Sequence, residues 1–196
     1  MVVQIRRAAI LAVVLVVLIF VYALAGTGLS QLLFSHQANG SVTARGSTLI
    51  GQNWSSPRWF HGRPDGFGPY AASKTQSGGD NPLVANGVSG SSGSTNLGPR
   101  SKTLLDNTRQ LIAYWHSMGV DPTPDLVTTS GSGYDPDITP ADATAEIPMV
   151  AKATGLAPAR LQALIDQHAH RAQFGFLGSS YVDVLRLNEA LARLEK

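Results

Sequence analysis

An unbroken apolar run near the amino terminus constrains this chain more than any other feature. Residues Ala8–Ala25 have the sequence AAILAVVLVVLIFVYALA, which contains no charge, amide or proline. As an α-helix the run would be about 27 Å long, close to the hydrocarbon thickness of a bilayer. Its twelve Leu, Ile, Val and Phe residues favour insertion by roughly 0.3–0.6 kcal/mol each, or about 4–7 kcal/mol together. The run therefore predicts a membrane span.

The charges that flank the run predict its orientation. Arg6 and Arg7 precede it, and the next charged residue after it is Arg45. The positive-inside rule then places the amino terminus in the cytoplasm and the rest of the chain outside. A cleaved signal peptide is the alternative, because Ala23–Ala25 fits the small-x-small cleavage pattern. We favour a retained anchor, since the run is long for the apolar part of a signal peptide.

Length, charge and cysteine content exclude several classes of protein. The 196 residues fit a cytoplasmic amino terminus and span over 1–30, followed by one soluble domain over 31–196 that is long enough to bury a core. Without Arg6 and Arg7, the chain carries 13 basic and 13 acidic residues, so it lacks the basic excess of a nucleic-acid binder. The absence of cysteine excludes disulfide bridges and thiolate chemistry.

Apolar spacing predicts helices in the second half of the chain. Leu104, Leu111 and Trp115 indicate an amphipathic helix over 101–118 that ends at Gly119. Thr139-Pro140-Ala141-Asp142 has the form of a capping box with proline at the first helical position, and Pro148 is expected to kink or divide the helix that follows. Two further helices are predicted, one beginning near Pro158 with Leu161, Leu164, Ile165 and His168 on one face, and one carrying Val184, Leu187, Leu191 and Leu194.

Strands and loops are predicted around these helices. Thr48–Ile50 and Asp125–Thr129 are apolar or β-branched and predict two short strands. Residues 26–44 are small and polar, which predicts a linker, and residues 77–99 are rich in glycine and serine, which predicts a long loop. The expected fold class is α+β: a single transmembrane helix followed by a small extracytoplasmic domain with few strands, three or four helices and long loops.

The stretch TTSGSGYDPDITP, residues 128–140, is the most suggestive candidate for chemistry. Its glycines suit a phosphate cradle, but Asp135 and Asp137 would repel a phosphate, and no lysine or arginine occurs over 119–151. Two aspartates are too few for a metal site, and the pattern is not that of an EF-hand. His168 and His170 lie about 200° apart on a helix, which places the first at the edge of the core and the second in solvent. No metal site is therefore predicted. The sequence also lacks a Gly-x-Ser-x-Gly elbow, so it gives no support for a serine hydrolase.

An aromatic segment precedes the glycine-rich loop. The segment containing Arg58, Trp59, Phe60, His61 and Arg63 predicts either a cation–π or interface patch or an aromatic loop packed on the domain's own sheet. From the residues alone, the chain is a membrane-tethered α+β domain without a recognisable catalytic set, as is usual for a partner-binding subunit.

Five blocks of sequence carry a resemblance to a known family, the C subunit (KdpC) of bacterial potassium-transporting P-type ATPases. The blocks are Ser47–Gln52, Phe60–Asp65, Thr95–Pro99, Asp125–Pro136 with Ile138–Pro140, and Val184–Asn188 with Ala190-Leu191. The resemblance makes the following family-motif residues candidates for a partner interface: Gly51, Gln52, Phe60, Gly62, Arg63, Pro64, Asn96, Gly98, Pro99, Ser130, Gly131, Ser132, Gly133, Asp135 and Pro136.

The resemblance implies a pump in the bacterial cytoplasmic membrane with four kinds of subunit. The partners would be a channel-like potassium-binding subunit, an ATP-hydrolysing P-type subunit and a small single-span subunit. This chain would be a non-catalytic accessory subunit needed for assembly, described in the family as a chaperone that raises the ATP affinity of the hydrolysing subunit. Since the predicted orientation places the soluble domain outside, where ATP is scarce, we favour a structural role. No cofactor is expected on this chain, and ATP is expected only in a ternary complex with the hydrolysing subunit.

Two rival hypotheses stay open at this point. An anchored extracytoplasmic enzyme would need Asp135, Asp137 and Arg63 to converge. An independent external binding or sensor domain would need its own ligand.

Overall fold

A computed structural model describes residues 1–52, 54, 56–64 and 93–195. The chain divides into two compact units, Met1–Val42 and Thr43–Lys196. The first unit consists of α1 (Val2–Leu33) and the short α2 (Ser35–Ala38). No residue of α1 is buried, and its most apolar 18-residue window has a mean hydropathy of 3.1. By length and composition α1 is a candidate membrane span.

The linker predicted over residues 26–44 is wrong in its first part, because α1 continues to Leu33. The Ser30 hydroxyl donates a hydrogen bond to the Gly26 carbonyl oxygen at 2.8 Å. This bond occupies the hydroxyl within the helix, so that a polar residue does not end it.

The described residues of the second unit include four longer helices, close to where the sequence places them. They are α3 (Lys102–Ser117), α4 (Pro140–Thr154), α5 (Pro158–His168) and α6 (Val184–Leu194). The predicted capping box is confirmed: the Thr139 hydroxyl accepts the Asp142 N–H, and the Asp142 carboxylate accepts the Thr139 N–H. Gly155 ends α4 at a φ of 74°, a left-handed conformation that glycine adopts without strain.

The sequence predicts that Pro148 kinks or divides this helix; division is wrong, since α4 continues through it, and a kink stays a prediction. Pro148 lacks an N–H, so the Thr144 carbonyl loses its helical donor. Both residues lie on the exposed face of α4, where water can take the place of that donor. The buried residues Ile147, Met149 and Val150 hold the helix on the core.

A small antiparallel sheet joins the helices. It has the order β1 (Asp137–Ile138), β3 (Tyr181–Asp183), β2 (Ala169–His170). Ile138 is opposite Val182, and Ala169 is opposite Val182 from the other side. The chain is therefore α+β, as the sequence predicts.

Both predicted strands are wrong. Thr48–Ile50 forms a turn, and Asp125–Val127 forms a single 3₁₀ turn that begins after Pro124. The Trp115 indole N–H donates to the Leu126 carbonyl oxygen at 3.0 Å, and Leu126 is fully buried. Tertiary packing on Trp115 therefore overrides the local preference of this segment for strand.

The core of the second unit lies between the helices and one face of the sheet. Its fully buried side chains include Phe60, Leu111, Trp115, Leu126, Leu161, Ile165, Leu187 and Leu191. The long loop predicted over residues 77–99 lies mostly outside the described residues, which resume at Gly93.

Candidate functional site

The segment Ser130–Pro136, called the corner below, connects the 3₁₀ turn to β1. Gly133 has a φ of 64°, and its N–H donates to the carbonyl and hydroxyl oxygens of Ser130, both at 3.1 Å. The Tyr134 N–H donates to the Ser132 hydroxyl at 3.2 Å, and the Ser130 and Ser132 hydroxyls lie 3.0 Å apart. These amide and hydroxyl groups are thus already hydrogen-bonded within the corner.

Gly51 is pressed against the back of the corner. Its N–H donates to the Tyr134 carbonyl oxygen at 2.9 Å, and a Cβ on Gly51 would lie 2.9 Å from the Asp135 carbonyl oxygen. A side chain at position 51 would force the backbone at Asp135 to move, which explains why this position is a glycine. Gly62 also faces the Asp135 carbonyl, at 3.7 Å from its ideal Cβ.

Gln52 stabilises the segment that carries Gly51, and one further segment reaches the corner at Gly93. The Gln52 side chain folds back and donates to the Ser47 and Ile50 carbonyl oxygens at 3.2 and 3.1 Å. The Gly93 N–H donates to the Ser132 carbonyl oxygen at 2.8 Å. Parts of two family blocks, Ser47–Gln52 and Phe60–Asp65, therefore meet the corner, which belongs to a third block far from both in sequence.

Arg63 brings to the corner the cation that residues 119–151 lack. Its guanidinium lies 3.3 Å from the Asp125 carboxylate and 3.9 Å from that of Asp135, and it donates to the Thr129 carbonyl oxygen at 3.2 Å. One cation between two carboxylates leaves a negative balance, so Arg63 braces the corner rather than presenting a free positive charge. With the Gly133 and Tyr134 amides also in use, this arrangement does not favour a phosphate cradle.

Phe60 is held by its main chain. The Phe60 N–H donates to Asn188 Oδ1 at 2.9 Å, and the Asn188 side-chain amide donates to the Phe60 carbonyl oxygen at 2.8 Å. Both residues are fully buried, and Pro64 is buried nearby in sequence. The aromatic segment is therefore packed on its own domain, but its main chain is held by the helix α6 rather than by the sheet that the sequence predicts.

His61 and Glu146 form a buried polar pair that the sequence did not predict. His61 Nδ1 lies 2.8 Å from Glu146 Oε2, and the His61 main-chain N–H donates to both carboxylate oxygens at 3.2 and 3.0 Å. Burial raises the pKa of Glu146, and the hydrogen bonds from His61 oppose that rise. One signal was available: Glu146 follows the buried Ala143 and precedes Ile147 and Val150 on the same apolar face of α4.

The imidazole of His61 also contacts Trp115, edge to face, with ring centroids 5.3 Å apart. Its Nε2 is buried and has no hydrogen-bond partner among the described residues. These contacts tie the aromatic segment to α3 as well as to α4.

Asp135 and Asp137 have different neighbours. Arg63 approaches Asp135, whereas Asp137 enters β1 opposite Asp183. Burial, and then the charges of Asp183 and Asp135, raise the pKa of Asp137 to about 6. Burial also raises the pKa of Asp183, whose carboxylate accepts the Arg186 N–H at the start of α6. Asp137 is therefore part of the sheet rather than of a triad with Arg63.

The remaining predicted residues are spread over the surface. The Arg58 guanidinium lies 5.0 Å from the Trp59 ring centroid and pairs with Glu195 at 2.5 Å, which is the predicted cation–π contact. Asn96, Gly98 and Pro99 lie in the exposed segment before α3. Gly131 and Ser132 are the exposed residues of the corner, and Pro136 accepts the Val184 N–H through its carbonyl oxygen.

The exposure of His168 and His170 follows the prediction, although α5 ends at His168 and His170 lies in β2. His168 is half-buried, with Nδ1 2.9 Å from the Leu164 carbonyl oxygen, and His170 is exposed. Among the described residues, no group of three or more His, Cys, Asp and Glu is placed to hold a metal ion.

Comparison with known proteins decides the family. Residues 5–193 match the family model of KdpC, described as the K⁺-transporting ATPase, c chain. The chain belongs to the KdpC family. It is 41% identical over 179 residues to a potassium-transporting ATPase KdpC subunit of Paraburkholderia xenovorans. The aligned region covers 87% of this chain and 85% of that relative. A KdpC subunit of Rhodopseudomonas palustris is 43% identical over 180 residues, covering 87% and 86%.

More distant relatives agree with this assignment. A KdpC subunit of Gloeobacter violaceus is 38% identical over 177 residues, covering 87% of this chain and 85% of its own. As a member of the KdpC family, the chain is a subunit of a K⁺-transporting ATPase, and α1 is the candidate span by which it enters the membrane.

Proposed function

We propose that this KdpC chain is a non-catalytic accessory subunit that stabilises the assembled potassium pump. The observation that carries the proposal is the family match over residues 5–193, which includes both α1 and the folded second unit. Potassium binding and phosphoryl transfer then belong to the channel-like subunit and the ATP-hydrolysing subunit. The small single-span subunit completes the complex.

The proposed orientation places the second unit outside the cytoplasmic membrane. Arg6 and Arg7 precede the apolar run at its amino-terminal end, and positive residues are retained on the cytoplasmic side. The second unit would then rest on the external face of the channel-like subunit. In that position Asp135 and Asp137 would contact the partner or attract cations toward it.

Chemistry at the corner supports a shaped protein surface better than an enzyme or a nucleotide site. Arg63 is neutralised by Asp125 and Asp135, and the N–H groups of Gly133 and Tyr134 already have acceptors. If this subunit raises the ATP affinity of the hydrolysing subunit, it does so through protein contacts and not by holding the nucleotide at the corner. Isothermal titration of the full-length chain in detergent with ATP should show no binding heat.

The decisive experiment deletes this chain from cells that depend on the pump. Deletion should abolish growth in micromolar potassium, and detergent extracts should no longer yield an intact complex. Arg63→Ala should weaken both, because the corner loses its brace, whereas Arg160→Ala on the exposed surface of α5 should have no effect. Normal growth of the deletion strain would refute the proposal.

Orientation has its own test. Because the chain has no cysteine, single cysteines at Val3 and at Arg160 report the two sides of the membrane without interference. A membrane-impermeant maleimide applied to spheroplasts should label the second position and not the first. The reverse pattern would overturn the topology.

A further inference from the structure

The connection between β2 and β3, residues 171–180, contains an ordered hairpin, Arg171–Gly178. The Gln173 N–H donates to the Leu177 carbonyl oxygen and the Leu177 N–H donates to the Gln173 carbonyl oxygen, both at 2.9 Å. At the turn, the Gly175 N–H also donates a hydrogen bond to the Ala172 carbonyl oxygen at 3.1 Å. These bonds fix the shape of the hairpin tip.

The tip presents large apolar side chains to the outside. Phe174 is 86% exposed, Phe176 is 76% exposed and Leu177 is 49% exposed. Phe174 also has a φ of 52°, a left-handed conformation that is a genuine outlier for a bulky residue and is normally occupied by glycine or asparagine. The hairpin therefore keeps an aromatic side chain at a position where neither burial nor backbone preference favours one.

We propose that the hairpin tip is an anchor that inserts Phe174 and Phe176 into an apolar pocket on another protein subunit of the pump. This inference rests on the proposed function, because it requires partner subunits. Rigid, exposed aromatic side chains are the type of residue that dominates protein–protein interfaces, and a preformed turn reduces the entropy lost on binding. An acceptor at the rim of the pocket would pair with Arg171, which is exposed at the base of the hairpin.

Charge argues against the lipid headgroup region as the occupant. Arg171 is the only lysine or arginine between Arg160 and Arg186. A single basic residue contributes about 1 kcal/mol at an anionic membrane surface, and segments that recognise such surfaces carry clusters of roughly 4–8. The tip combines aromatic anchors with a single cation, a composition that fits a protein pocket.

Photo-crosslinking in the complete pump tests the proposal directly. Benzoylphenylalanine replaces Phe176 in one variant and Leu105 in a control, since Leu105 is exposed on α3 and is also apolar, at 47% exposure. Irradiation of native membranes should join position 176, and not position 105, to another subunit of the pump. A crosslink from position 176 only to phospholipid or only to a second copy of this chain would overturn the proposal.

A paired substitution measures the strength of the contact. In Phe174→Asn with Phe176→Ser, asparagine suits the left-handed position, so the turn is retained and any loss comes from the missing rings. Dissociation of this chain from the detergent-solubilised pump should be about tenfold faster, while Leu105→Ser leaves the rate unchanged. An unchanged rate in the double variant, with unchanged circular dichroism, would refute the anchor.

The two proposals fail in different ways. If the unaltered chain does not co-purify with other pump subunits, the proposed function fails. If it co-purifies but position 176 gives no crosslink to them, the proposed function stands and the hairpin anchor is wrong.

Discussion

Two aromatic segments of the second unit have opposite environments. In the first, Phe60 is fully buried and Asn188 satisfies both of its main-chain groups. In the second, Phe174 and Phe176 extend from a hairpin tip and are 86% and 76% exposed. Phenylalanine is therefore part of the hydrophobic core in the first segment and exposed on the surface in the second.

The difference shows which part of the molecule is explained by its own fold. The first segment is connected to α3, α4 and α6 through Trp115, Glu146 and Asn188. Within the described part of the chain, the hydrogen bonds that hold the hairpin tip all lie within Ala172–Leu177. Substitutions in the first segment should therefore alter stability, and those in the hairpin should alter association.

Glu146 provides the largest expected effect. Glu146→Ala leaves the His61 main-chain and ring donors buried without an acceptor, so the free energy of unfolding should fall by about 3–5 kcal/mol. Glu146→Gln keeps the shape and one acceptor, and should lose about 1–3 kcal/mol. Denaturant unfolding of the full chain in detergent, followed by tryptophan fluorescence, measures both.

Asp121→Ala is the matched control, because its side chain is fully exposed. Equal stability of Glu146→Ala and the control would show that the buried pair does not secure the first segment.

Asn188 should rank next. Asn188→Ala removes both hydrogen bonds to Phe60 and leaves a buried N–H and carbonyl unpaired, at a cost of about 2–3 kcal/mol. Hydrogen exchange should detect the change first at the Phe60 amide. If that amide stays as protected as in the unaltered chain, the side chain of Asn188 is not what holds it.

The acidic pair of the sheet predicts a smaller, pH-dependent effect. The pKa of Asp137 is raised to about 6, so the folded state binds a proton that the unfolded state releases, and stability falls as the pH rises from about 4 to above 6. Asp137→Asn should remove this loss and be more stable than the unaltered chain by about 1 kcal/mol at pH 8, after allowance for solvent screening at a half-exposed site.

At pH 4 the two proteins should unfold alike. Thermal unfolding at both pH values decides the matter, and a gain in Asp137→Asn that is the same at pH 4 and pH 8 would exclude titration as its cause.

The hairpin should give the smallest effect on stability. Phe174→Asn removes an exposed ring and places asparagine at a φ of 52°, so the free energy of unfolding should change by less than about 0.5 kcal/mol. Phe60→Ala, in contrast, should cost about 3–5 kcal/mol because it empties the core. Comparable losses in the two variants would contradict the division between the segments.

Sequence patterns predicted those elements whose causes are local. The apolar spacing in α3, α5 and α6 and the capping box at Thr139 depend on residues within a turn or two, and each is confirmed. The strand predicted at Asp125–Thr129 is wrong because Trp115 and Pro124 determine that segment from outside it.

The candidate site was harder to predict, because its contacts span long distances in sequence. Glu146 lies 85 residues from His61, and Asn188 lies 128 residues from Phe60. The family resemblance made Gly51 an interface candidate, but no local pattern indicates its closeness to the Asp135 carbonyl. The role of these motif residues at a partner interface stays a prediction.

The order of the sheet has a consequence for how the chain folds during synthesis. The central strand β3 is the last of the three in sequence, and α6, which carries Asn188, follows it directly. A ribosome adds roughly 5–20 residues per second. Several seconds therefore pass between the synthesis of β1 and of its partner β3, and between that of Phe60 and of Asn188. The apolar α1 emerges first, and the second unit closes only when its final helix has been made.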